Sequence, residues 1–110
     1  MPSPTRGPTR KKSRSVWMSF ELRFKEEALS EWRRLDGSVR GQLKKKLAER
    51  LENPHVPAAK LSGHPSRYKI KLRSAGFRLV YEVRDAHLVV IVIAVGKRER
   101  NTVYQAAASR

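Results

Sequence analysis

The chain contains no cysteine among its 110 residues. Neither a disulfide framework nor a thiolate metal site is available, which fits a reducing compartment and leads to the expectation of a cytoplasmic protein. Apolar runs are short: none approaches the ~20 residues of a membrane-spanning helix, so no membrane association is expected. Basic residues near the N-terminus are not followed by an apolar stretch, and no secretory signal is expected there. Acids are scarce. Asp and Glu number 10 against 25 Lys and Arg, giving a formal net charge of +15 and a pI of about 11.2. That imbalance points to nucleic acid or another polyanion as partner. There is no Gly-rich phosphate loop and no internal repeat. His55, His64 and His87 fall in expected loops or turns, without a carboxylate at triad-like or metal-like spacing. They read as surface residues, and neither a metal nor another cofactor is expected.

What is present fits one domain with one modest core. The charge is uneven. Residues 1–17 hold five basic residues and no acid, residues 18–52 nine basic and seven acidic, and residues 53–110 eleven basic and three acidic. The excess therefore lies in the leader and in the C-terminal half. The leader is rich in Pro, Ser, Thr, Arg and Lys, and its few apolar residues cannot repay the entropy of ordering. It reads as disordered, with the folded domain spanning 18–110. Either Met18 is the natural start, or the leader is a basic arm that adds phosphate contacts.

From Ser19 to Phe24, Phe20, Leu22 and Phe24 alternate with Glu21 and Arg23, the period of a short strand. Beyond Lys25 the period changes. Ala28, Leu29, Trp32 and Leu35 form one helical stripe. Asp36-Gly37-Ser38 breaks it and offers a cap to a second helix. There Val39, Leu43, Leu47 and Leu51 recur every four residues, and Asn53-Pro54 ends the pattern. A loop over His55 to Arg67 follows. Leu88 to Val95 is apolar at every position, as in a central strand buried on both faces. A last short helix, about Glu99 to Ser109, presents Val103, Tyr104 and Ala107. The order predicts an α+β domain: an N-terminal strand, a helical pair packed on a mainly antiparallel sheet, and a short C-terminal helix.

Between these elements, Tyr68 to Val83 reads as a hairpin. Tyr68, Ile70 and Leu72 alternate with Lys69, Lys71 and Arg73; Phe77, Leu79, Tyr81 and Val83 alternate with Arg78, Val80, Glu82 and Arg84. An even loop keeps apolar residues opposite apolar ones. With Ala75 and Gly76 as a two-residue turn, Arg73 pairs with Arg78 and Ile70 with Tyr81. A second two-residue turn at Asp85-Ala86 would set Arg78 across from Ile93. Lys69, Lys71, Arg73 and Arg78 then share one face, and Lys97 and Arg98 reach the same rim. Like charges facing one another destabilise a sheet, so the crowding asks for a polyanion.

A conventional hydrolase site is hard to assemble from these residues. RNA, however, carries its own nucleophile in the 2′-OH. A protein need only orient it, remove a proton, donate one and neutralise growing charge. Crowded cations suit the last task, and crowding also lowers a lysine's pKa toward that of a usable base. Arginine is in general a poor acid, because its pKa exceeds ~12.

The segments ALSEWRRL, QLKKKL, KLSGHPSRYKIKLRSAGFRLVYEV and VGKRERNTVY closely resemble the RelE family of bacterial toxin–antitoxin systems, and the similarity runs from Met18 onward. The resemblance implies a ribosome-dependent endoribonuclease that cuts mRNA in the A site of the small ribosomal subunit and inhibits translation. It implies a RelB-like cognate antitoxin as partner, with operator DNA bound only through the antitoxin complex. It places catalytic roles on Lys69 and Lys71 (proton removal and phosphate binding), Arg78 (charge stabilisation), Arg98 (proton donation) and Tyr104 (base stacking). Lys60, Arg73, Lys97 and Arg100 would add RNA contacts. Ser62 departs from the family's K-L-x-G pattern, which carries arginine there. The related ParE branch shares the fold and targets DNA gyrase, but lacks the basic catalytic set. The alternatives are a ParE-like gyrase inhibitor and a non-catalytic nucleic-acid-binding or operon-repressor component. The latter needs a cationic face but not Arg98 and Tyr104 at fixed positions.

Overall fold

The computed structural model describes residues 20–99 and 102–110. The leader and Arg100 lie outside the described residues. The elements run β1 (Glu21–Phe24), α1 (Glu26–Arg33), α2 (Gly37–Glu52), β2 (Arg67–Leu72), β3 (Phe77–Arg84), β4 (Val89–Lys97) and α3 (Thr102–Ala108), with short 3-10 turns at Pro57–Ala59 and Asp85–His87. The expected order and the α+β class are observed. The four strands lie in the order β1-β4-β3-β2. β1 is parallel to β4, and the other two pairings are antiparallel.

Local chemistry explains the helices. Glu26 and Glu27 stand in the first turn of α1 and Arg33 in its last, each opposing the helix dipole. The Asp36 carboxylate caps α2 by accepting from the Ser38 N–H at 3.0 Å. Val39, Leu43 and Leu47 bury the apolar stripe of α2, while Lys44, Lys45 and Lys46 are exposed, as a solvated helix face should be. α1 packs chiefly on β4 and α2 on β2, so each helix meets the sheet more than it meets its neighbour.

The sheet is covered on both faces. Ile70, Leu72, Leu79, Tyr81, Val83, Val90, Val92 and Val95 face α1 and α2 in the main core. Val80, Ile93 and Ala94 face α3, which contributes Val103 and Ala107. β4, flanked by β1 and β3 and buried on both sides, has the central position that its unbroken apolar run predicts.

Both expected turns are corrected. The hairpin pairs Lys71 with Arg78, Ile70 with Leu79 and Tyr68 with Tyr81, so the loop is four residues, Arg73 to Gly76. The even parity holds but the register slides by two. Gly76 supplies the positive φ, 69°, at the end of that loop. At the second turn, Leu88 adopts a left-handed conformation with φ 53°. β4 then carries a bulge opposite Val80 and Tyr81: Ala94 pairs with Val80 and Val92 with Tyr81, leaving Ile93 over. Arg78 consequently faces Gly96, not Ile93. The backbone groups beside the bulge are satisfied by side chains. Arg110 Nη1 donates to the Ile93 carbonyl at 2.9 Å, and the Glu31 carboxylate accepts from the Val95 N–H at 3.1 Å. Arg110 and Glu31 are themselves joined by paired bonds of 2.9 Å.

Candidate active site

Alternation along β2 and β3 puts Lys69, Lys71 and Arg78 on the α3 face, away from α1 and α2. At the mouth of the hairpin, Lys71, Arg73, Arg78 and Arg98 line a depression of about 300 Å³, floored by Leu72 and Phe77. The main chain helps to hold Arg98 there, because its N–H donates to the Gly76 carbonyl at 2.7 Å. Beyond Lys69 a larger groove, about 590 Å³, runs between the Lys60–His64 segment and α3, with Tyr104 on its wall.

These cations lack counter-ions. Among the described residues, the carboxylates that form ion pairs engage Arg23, His55, Arg67, Arg84 and Arg110. None reaches Lys69, Lys71, Arg73, Arg78 or Arg98. Mutual repulsion is the result: the Lys71 pKa is lowered, chiefly by Lys69, with burial, Arg78, Arg73 and Arg98 adding to it. Arg78 finds a ring instead of an acid. Its guanidinium lies 5.3 Å from the centroid of Tyr104. The Arg78 Nε and the Tyr104 hydroxyl are both buried and without a hydrogen-bond partner among the described residues. A preorganised cationic pocket without internal neutralisation is suited to a phosphate whose negative charge grows during a reaction.

The structure brings together Lys69, Lys71, Arg73, Arg78, Arg98 and Tyr104, and places Lys60 across the groove from Tyr104. It separates Lys97, which pairs with Phe77 on the face toward α1 and α2. The rim expected to hold both Lys97 and Arg98 holds Arg98 alone, because strand neighbours point to opposite faces. Among the described residues, no three of His, Asp and Glu converge as a metal site. His55 is exposed, as expected, yet the fold gives it partners that linear spacing hides: Asp85 at 2.7 Å and the Tyr68 hydroxyl at 3.0 Å.

Three residues near the site escape sequence reading. Arg50, on α2, donates to the Lys69 carbonyl at 3.2 Å and to the Tyr81 hydroxyl at 2.9 Å, bracing β2 from the opposite face. Arg67 and Glu82 form a buried cross-strand pair at 3.0 Å. The signal for that pair was the hairpin register: with a four-residue loop, Arg67 and Glu82 stand directly opposite.

Comparison with known proteins fits this arrangement. A family described as the ParE toxin of the type II toxin–antitoxin system parDE matches residues 22–102. The "mRNA interferase toxin RelE" of Escherichia coli K12 is 59% identical over 93 residues, covering 84% of this chain and 98% of that protein. The chain belongs to the RelE branch of the RelE/ParE toxin superfamily. Solved RelE structures superpose well. A double arginine-to-alanine variant of E. coli RelE in the free state gives a TM-score of 0.79 at 57% identity, covering 84% of this chain and 98% of that one. The toxin of the intact E. coli RelBE toxin–antitoxin complex gives 0.72 at 60% identity, covering 74% and 100%. Among the described residues, no helix of this RelE-family chain is long and apolar enough to cross a membrane.

Proposed function

We propose that this chain is a ribosome-dependent endoribonuclease toxin that cleaves mRNA in the ribosomal A site and is neutralised by a RelB-like antitoxin. The observation that carries the reading is the convergence of Lys69, Lys71, Arg78 and Arg98 with no carboxylate among them. Crowded cations also suit RNA binding, but they leave Lys71 with the depressed pKa that a base requires.

In this reading the RNA 2′-oxygen attacks the adjacent phosphorus. The Lys69–Lys71 pair takes the 2′-OH proton, with Lys71 as the member eased toward its neutral form. Arg78 neutralises the charge that builds on the phosphate oxygens. The bond to the 5′-oxygen breaks, leaving a 2′,3′-cyclic phosphate, and Arg98 donates the proton to that leaving oxygen. Arginine's high pKa argues against free donation in water. Tyr104 presents an aromatic surface to a base, and Lys60, Arg73 and Arg100 hold flanking phosphates. Operator DNA is bound only through the antitoxin complex, and the site of action is the cytoplasm, where translating ribosomes are. Folded residues 18–110 carry the chemistry, and the leader does not.

The test is single-turnover cleavage of a message on a programmed ribosome, with co-sedimentation alongside. Arg78→Ala and Arg98→Ala should each lower the cleavage rate ~100- to 1000-fold. Ribosome association should change little, because many other cations share ground-state binding. A non-catalytic binding protein would give no cleavage even unmutated. A gyrase inhibitor would leave the message whole and block supercoiling.

A further inference from the structure

α3 has seven residues. A helix that short is not stable alone, so something must dock it. Val103 and Ala107 supply the apolar contact, against Val80, Ile93 and Ala94. A polar contact is added at its other end. The Arg67 guanidinium donates through Nη1 to the carbonyl of Ala107, in the last turn of α3, where helix carbonyls lack partners of their own. Arg67 is buried, at 9% exposure, and is held in place by Glu82, which also accepts from Arg84. The N-terminal half of α3 meets the sheet closely too: a Cβ at Gly96 would lie 3.4 Å from Val103 Cγ2. Gly96 is the residue that pairs with Arg78. Tyr104 is fixed between these two contacts, with its ring under the Arg78 guanidinium.

We propose that Arg67, clamped by Glu82, is a positioning residue for cleavage: it locks the end of α3, and through the Tyr104 ring sets where the Arg78 guanidinium stands. This rests on the ribonuclease reading above. Arg67 lies in the wall of the groove but is too covered to act as a general RNA contact. Its Nε and Nη1 are directed to Glu82 and to the α3 carbonyl. In this proposal the pair acts on substrate through α3.

Arg67→Met keeps the stem and removes the donor; Arg67→Lys restores a cation that can still reach a carbonyl. In Arg67→Met, amide hydrogen exchange should accelerate at least tenfold over Val103 to Ala108 while the β3 and β4 amides stay protected. Single-turnover cleavage on programmed ribosomes should fall about tenfold, with co-sedimentation unchanged, and Arg67→Lys should recover most of the loss. The deciding comparison is a double-mutant cycle. In a Tyr104→Ala background, Arg67→Met should lower the rate no further. Unchanged α3 exchange would overturn the clamp. Losses that simply multiply with Tyr104→Ala would overturn the route through Tyr104. An unmutated chain that cleaves nothing would overturn the ribonuclease reading and the catalytic half of this proposal together, while the exchange data would still decide the clamp.

Discussion

The ammonium of Lys71 stands among Lys69, Arg78, Arg73 and Arg98, and each of the four makes its proton easier to lose. A lowered pKa enlarges the neutral fraction at a given pH, so a rate limited by that base rises with pH and levels above the pKa. Arg73 contributes to the field, and the proposed mechanism gives it neither proton transfer. Arg73→Met should move the rising limb of the pH–rate profile for cleavage to higher pH, and added salt should shrink the displacement. Lys45→Met, on α2, should leave the limb in place. A limb that ignores Arg73 would remove Lys71 as the base.

At the scale of elements, two carboxylates hold the C-terminal end of the chain's last segment: Glu82, on β3, through Arg67, and Glu31, on α1, through Arg110. Burial alone would raise both pKa values, but hydrogen bonds from Arg84 and Arg67 at Glu82, and from Arg110 and the Val95 N–H at Glu31, outweigh it and leave both lowered from 4.5. A depressed carboxylate stabilises the fold above its unfolded pKa, and that stability is lost as pH falls through the folded value. Acid should therefore loosen α3 and its tail first. Exchange or tyrosine fluorescence followed from pH 5 downward should report α3 release before global unfolding, and Glu82→Gln should show the loosening already at neutral pH. The same elements mark the limit of what sequence reveals. Period two in the hairpin and period four in α2 were legible because burial imposes them. The loop length from Arg73 to Gly76 was not, because two and four residues satisfy the same parity. The Arg67–Glu82 pair depended on that register and disappeared with it. The parallel pairing of β1 with β4 left no trace in four residues, and a separation of 30 positions hid the contact of His55 with Asp85.

For the whole molecule, +15 charges on 110 residues mean that the folded state works against its own field. Compaction brings like charges together, and the acid on the hairpin face, Glu82, is taken up by Arg67 and Arg84, leaving Lys69, Lys71 and Arg78 without an offset. Added salt should therefore stabilise the protein, and a short RNA oligomer should do so at much lower concentration, to the extent that it binds the gathered cations of the folded face more tightly than the dispersed ones of the unfolded chain. Melting temperature should climb between 50 mM and 500 mM salt, and should climb with micromolar RNA at low salt. Lys71→Ala should raise the salt-free melting temperature while weakening the response to RNA. A melting temperature indifferent to both additions would mean that the cations are too far apart to matter.

The residue left over at Ile93 sets a phase. Before it, Val90 and Val92 turn toward α1 and α2; after it, Val95 does, so the alternation has advanced by half a cycle. Lys97 and Arg98 inherit the advanced phase. Remove one residue there and the two would trade faces, sending the arginine to the face of α1 and α2 and the lysine to the cationic pocket. The core would accept either outcome, because Leu88 to Val95 is apolar throughout and offers no polar residue to object. What the pocket receives is thus decided by counting, in a stretch where composition carries no instruction. Glu31 and Arg110, on the backbone groups beside the extra residue, keep the count.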